Sequence, residues 1–153
     1  MRDEMRKRVK ELREAYINAS PRQRYLVALD RLKYEDSGPN LLIQHVSAVE
    51  GFARSVALEF EVKGGEPRDL AYDRLRNIGP VPLIRDHIAG KIQMDPGILF
   101  GEYEWELFDI AVQFRHLLVH EATFLRQGYT NELIPACKTI LDKIAEIVGI
   151  NAL

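Results

Sequence analysis

Between Asn40 and Lys63, apolar residues fall at Leu42, Val46, Val49, Ala53, Val56 and Phe60, in alternating steps of four and three. That spacing traces one stripe of an α-helix, and Gly64-Gly65 follows as its stop. Nowhere does the chain sustain the period-two alternation of a half-buried strand. Two more helical stripes follow. One runs through Trp105, Phe108, Ala111, Val112, Phe114, Leu118 and Val119, and the other through Leu133, Ile134, Cys137, Ile140, Leu141, Ile144 and Val148. The predicted fold is therefore all-α, an up-and-down helical bundle with additional short helices. At 153 residues the chain is the length of one domain. Its core is expected over about 40–150, with N-terminal helices over about 1–36.

The punctuation agrees. Ser20-Pro21-Arg22-Gln23 has the form of a capping box with proline at the first helical position, and Ser37-Gly38-Pro39 is a stop. Pro67 opens a short helix that ends before Gly79-Pro80. Another is expected between Pro82 and Met94, interrupted by Gly90, and Asp95-Pro96-Gly97 reads as a turn. No apolar run approaches the ~18 residues of a membrane span. A single cysteine, Cys137, cannot form an internal disulfide, and its place on an apolar stripe predicts inert core. These features point to a soluble, cytoplasmic protein without a membrane partner. Net charge is −2, but residues 1–35 carry ten Lys/Arg against six Asp/Glu. That basic end is read first as a solvated helix face with alternating charges.

The helix predicted over 102–120 carries the chemistry. Projected at about 100° per residue, Glu102, Glu106, Asp109, Gln113, His116 and His120 share one polar sector, and nearly everything else is apolar. Burial over most of its circumference is expected. Arg115 projects into the apolar side, where a guanidinium requires a partner or a ligand. The structural reading pairs it with a carboxylate of a neighbouring helix, such as Glu50.

Phe114-Arg115-His116-Leu117-Leu118-Val119-His120 is an Arg, four residues and a His at the end of a long apolar helix. This resembles the HEPN superfamily, whose signature is Arg, four to six residues, then His, with a polar residue often after the Arg; His116 fills that position. The earlier helix around His45 to Glu59 is similar to the HEPN helix that bears an acidic residue among apolar ones, here Glu50. The resemblance spans about Asn40 to Val148. It implies a metal-independent endoribonuclease, commonly a toxin or antiviral defence effector, without cofactor. It further implies a homodimer in which Arg115 and His120 of two protomers face one another across a cleft, with Glu50 and His116 supporting the site or contacting RNA. An antitoxin or defence partner protein is expected on the same ground. One HEPN subgroup carries a modified tyrosine two residues after the His; Ala122 stands there, so that regulation is not expected.

The residue types suit RNA cleavage. RNA supplies its own nucleophile, the 2′-hydroxyl, so the site needs proton exchange and charge stabilisation at phosphorus. Histidine titrates near neutrality, and arginine can hold two phosphate oxygens. The products would be a 2′,3′-cyclic phosphate and a 5′-hydroxyl. On a straight helix, however, Arg115 and His120 lie about 140° apart. They share a face only if the helix ends or bends near Leu118, or the flexible Arg115 stem curls around it; otherwise each meets the other protomer.

Two other classes compete. A non-catalytic HEPN-like module would use Arg115 to bind RNA, a nucleotide or a protein without cleavage. A metal-binding bundle would use His116 and His120, four apart, with Glu121 or Asp109 and then His45 or His87. No second such motif accompanies the pair, and His45 and His87 read individually as surface or boundary residues.

Overall fold

The computed structural model describes residues 1–33, 38–121 and 127–150. Eight α-helices follow in chain order, and the described residues include no strand. They are α1 (Arg2–Asn18), α2 (Pro21–Leu32), α3 (Pro39–Lys63), α4 (Arg68–Leu75), α5 (Pro80–Ile84), α6 (Pro96–Phe100), α7 (Glu102–His120) and α8 (Gln127–Ile147). No helix among the described residues is long and apolar enough to cross a membrane.

Helix α3 is the axis of the bundle, packed by α2, α4, α5, α7 and α8. Its predicted stripe is the core face, but Ala48, Phe52, Ser55, Ala57 and Leu58 are buried as well. Small residues at 48, 53, 55 and 57 let neighbouring backbones approach from several sides, which a single stripe does not convey. Helix α8 buries Leu133, Ile134, Cys137, Ile140, Leu141 and Ile144 against α3 and α7, and it continues through Pro135. The Tyr25 ring of α2 packs at 45° against Phe52, with centroids 5.1 Å apart, and its hydroxyl donates to Asp142 Oδ1 at 3.2 Å, joining α2 to both core helices.

The caps explain the boundaries. Ser20 Oγ accepts from the Gln23 N–H at 3.2 Å while the Ser20 N–H donates to Gln23 Oε1 at 2.8 Å, a complete capping box. The segment 82–94 is less simple than predicted: after α5 the chain widens to a π-type turn over Arg85–Ala89 and tightens to a 3₁₀ turn over Gly90–Ile92. Asp95-Pro96-Gly97 is not a free turn. Asp95 Oδ1 accepts from the Gly97 N–H at 2.8 Å and Pro96 occupies the first turn of α6, so the residues that mark a turn serve as a helix cap. Gly101, at φ +96°, then makes the sharp corner that redirects the chain into α7. Of the predicted Ser37-Gly38-Pro39 stop, Ser37 lies outside the described residues.

Candidate active site

Helix α7 starts where expected, with Glu102 and Glu104 in its first turn, and remains helical to His120. Its burial departs from expectation. Only Phe108 and Ala111 are buried; Val119 is 55% exposed, and Val112, Leu117 and Leu118 are half-buried. The reason is architectural: α3, α5, α6 and α8 contact α7, and among the described residues no further helix closes over its other side. Val112, Gln113, His116 and Leu117 line an open depression on that uncovered side.

Arg115 points toward α3. Its Nη1 donates to Glu50 Oε2, and the two side chains are 19% and 20% exposed. Glu50 Oε1 accepts from Arg54 Nη2 at 2.8 Å. Arg54 also donates through Nε to the Leu75 carbonyl at 3.3 Å and through Nη2 to the Ile78 carbonyl at 2.9 Å. One carboxylate thus holds two guanidiniums, and the second is fixed to the turn between α4 and α5. Burial pushes the Glu50 carboxyl up, but the hydrogen bonds and charges of Arg54 and Arg115 outweigh it and hold the group below the ordinary range. Arg54 was not anticipated from the sequence. Its signal was present: an Arg four residues after Glu50 on a helix is within pairing distance. The Cys137 thiol, held in the apolar core, is pushed up to about 12 by burial, so it remains a neutral thiol.

His116 and His120 sit on the exposed side of α7, with ring centroids 4.6 Å apart and planes inclined at 49°. Because α7 stays α-helical to His120, the rotation of about 140° expected between Arg115 and His120 applies. Arg115 faces α3, whereas His120 stands in solvent at the helix end. Among the described residues, no hydrogen bond or ion pair joins the two within one chain. The Glu121 N–H closes the helix onto the Leu117 carbonyl at 2.8 Å. Ala122 lies outside the described residues.

His45 is not a boundary residue. It is 3% exposed, its Nδ1–H donates to the Leu41 carbonyl at 2.8 Å, and its Nε2 is buried without a partner. Burial lowers its pKa. His87 lies instead beside Glu61, with Nδ1 3.8 Å from Oε1, in a group that includes Lys91 at 3.0 Å and Arg74 at 3.2 Å from the same carboxylate. Neither histidine approaches His116 and His120, and among the described residues no three His, Cys, Asp or Glu side chains converge as a metal site would require.

No family model matches the chain, and no curated protein or solved structure matches it.

Proposed function

We propose that the protein is a metal-independent endoribonuclease of HEPN type, acting as a cytoplasmic toxin or antiviral effector. In this reading two copies meet at the C-terminal end of α7, where the partly exposed Arg115 and the exposed His120 both border the contact. The observation that carries it is that one helix presents an arginine held in place by Glu50 and, one and five residues on, an exposed imidazole pair beside incompletely covered apolar surface. Because Arg115 and His120 face different ways within one chain, a second copy supplies the complementary group, and a two-fold axis provides it.

The chemistry assigns each residue one task. His120 accepts the proton of the 2′-hydroxyl as its oxygen attacks phosphorus, and the departing 5′-oxygen takes a proton from a second imidazole or from water. The Arg115 guanidinium opposes the charge that grows on the phosphoryl oxygens. Glu50 keeps the guanidinium from turning into solvent, and His116 contacts RNA or orients its neighbour. An antitoxin or defence protein that masks the cleft belongs to the same proposal.

The test is cleavage of labelled RNA in excess EDTA. His120→Ala and Arg115→Ala should each lower the rate by ~10²–10⁴-fold, and His116→Ala by less, with circular dichroism unchanged for the histidine variants. Equal cleavage by wild type and His120→Ala, or none by either across varied RNAs, removes the nuclease reading. A second reading then stands, a non-catalytic RNA-, nucleotide- or protein-binding module. Its support is that Arg115 already has a carboxylate partner, as a structural arginine would.

A further inference from the structure

Helix α1 differs from every other long helix in the molecule. It has 17 residues and none is buried; every residue from Met1 to Ala15 is exposed. Among the described residues, the contacts that fasten it lie at its C-terminal end. There the Tyr16 hydroxyl donates to the Gly51 carbonyl at 2.7 Å, the Tyr16 ring meets Tyr72 edge-on, and the Ile17 carbonyl accepts from Arg68 at 3.3 Å. A helix of this length without packing is marginal in water.

Projected at about 100° per residue, Met1, Met5, Val9, Leu12 and Tyr16 fall within a sector of about 80°. Met5, Val9 and Leu12 are 59%, 58% and 53% exposed. Arg8 borders the stripe on one side, and Arg2, Arg6 and Arg13 border it on the other. The acids Asp3 and Glu14 lie on the far side of the helix, and Glu4 and Glu11 lie just beyond Arg8. The stripe continues onto α2: Leu12, Ala15, Arg24 and Val27 line an open depression of about 460 Å³ at the corner between the two helices. Within it the Arg24 guanidinium lies 4.2 Å over the Tyr16 ring, and its Nε is buried without a hydrogen-bond partner.

We propose that the α1 stripe and the α1–α2 corner form a docking surface for an amphipathic helix of a partner protein whose apolar stripe is bordered by aspartate and glutamate. Charge selects this occupant. A second copy of α1, parallel or antiparallel, would set arginine shoulder against arginine shoulder, which opposes pairing. The arginines' present ion pairs, Arg6 with Asp3 at 3.6 Å and Arg8 with Glu11 at 3.5 Å, are intrahelical and solvent-exposed, so they yield readily to a partner's carboxylates. A nucleic acid would satisfy the arginines but leave Met5, Val9 and Leu12 in water. The surface lies on α1 and α2, apart from the Arg115 and His120 of α7, and does not depend on the proposed nuclease activity.

The experiment uses the full chain and a synthetic helical peptide of about 25 residues with leucine at heptad a and d and glutamate at e and g. Its mirror carries lysine at e and g, and an unrelated single-stranded RNA is the third probe. The glutamate peptide should bind and slow amide exchange over residues 2–15, and the lysine peptide should bind at least about tenfold more weakly. Val9→Ser with Leu12→Ser should abolish binding, and Arg6→Glu with Arg13→Glu should reverse the preference between the peptides. These residues are outside the core, so circular dichroism should show the fold retained. Three results would overturn the proposal: no preference between the peptides, peptide protection elsewhere in the chain, or protection of residues 2–15 by the RNA in place of the glutamate peptide. Sedimentation covers the remaining occupant, since a dimer that the serine variant converts to monomer would mean that the stripe pairs with itself.

Discussion

Arginine is used in two opposite ways in this molecule. On α1, Arg2, Arg6, Arg8 and Arg13 stand in solvent, with intrahelical contacts of 3.5–3.6 Å where they pair at all. At the seam of α3 and α7, Arg54 and Arg115 are largely covered and share the single carboxylate of Glu50. The residue type is the same, and its environment sets its energetic weight. Water screens and competes for the α1 charges, so each pair contributes a few tenths of a kcal/mol. At the seam the same water is largely excluded, so the network is costly to break even where its net contribution is small.

The largest expected effect on stability follows directly. Glu50→Ala leaves two half-buried guanidiniums facing one another without a counter-charge. It should destabilise by about 2–4 kcal/mol, less than for a fully buried pair because some solvent reaches the site. For a domain of this size that is a fall in Tm of roughly 5–15 °C. Glu50→Gln, which keeps an acceptor but not the charge, should lose less. A Glu50→Ala variant as stable as wild type would erase the distinction between seam and surface.

A second effect distinguishes two titratable groups on α3 itself. Glu50 is half-buried with partners, whereas the Nε2 of His45 is buried without one. Both pKa values are lowered, but acid acts on them in separate windows. His45 has a folded-state pKa below its ordinary 6.5. The unfolded chain therefore takes up a proton first as pH falls below 6.5, and stability declines from there toward the folded value. Glu50, with a folded-state pKa below its ordinary 4.5, contributes stability that persists above 4.5 and is lost as pH falls through the lower folded value. Urea midpoints at pH 7.5, 5.5 and 3.5 should thus show two declines. His45→Leu should flatten the first and leave the second.

These contrasts also mark how far the sequence could be read. The stripe at 42, 46, 49, 53, 56 and 60 located α3, the capping box at Ser20 located α2, and Arg115 on an apolar face called for a carboxylate that Glu50 supplies. Periodicity and capping are local, so they are legible. The exposure of Val119 and the burial of His45 depend on which neighbours cover a helix, and no local pattern encodes that. Arg54 was missed for a related reason. Its anchors are the carbonyls of Leu75 and Ile78, far along the chain, and carbonyls carry no residue identity. The wide turn at 85–89 likewise follows from packing, since Arg85-Asp86-His87-Ile88-Ala89 has no distinctive helix-breaking residue.

The smallest effect probes the other side of the comparison. Arg8 lies 3.5 Å from Glu11, with side-chain exposures of 68% and 47%. Arg8→Ala removes that pair and substitutes a better helix former, two changes that oppose one another within a few tenths of a kcal/mol. Stability by urea unfolding should therefore change by less than about 0.5 kcal/mol, and the difference should shrink further in 0.5 M salt, where screening is nearly complete. The result gains its meaning from repetition at two protein concentrations. An exposed helix gives the same small value at both. A loss of more than about 1 kcal/mol that grows with concentration would mean that α1 is packed against another copy in solution, and its arginines would then resemble those of the seam.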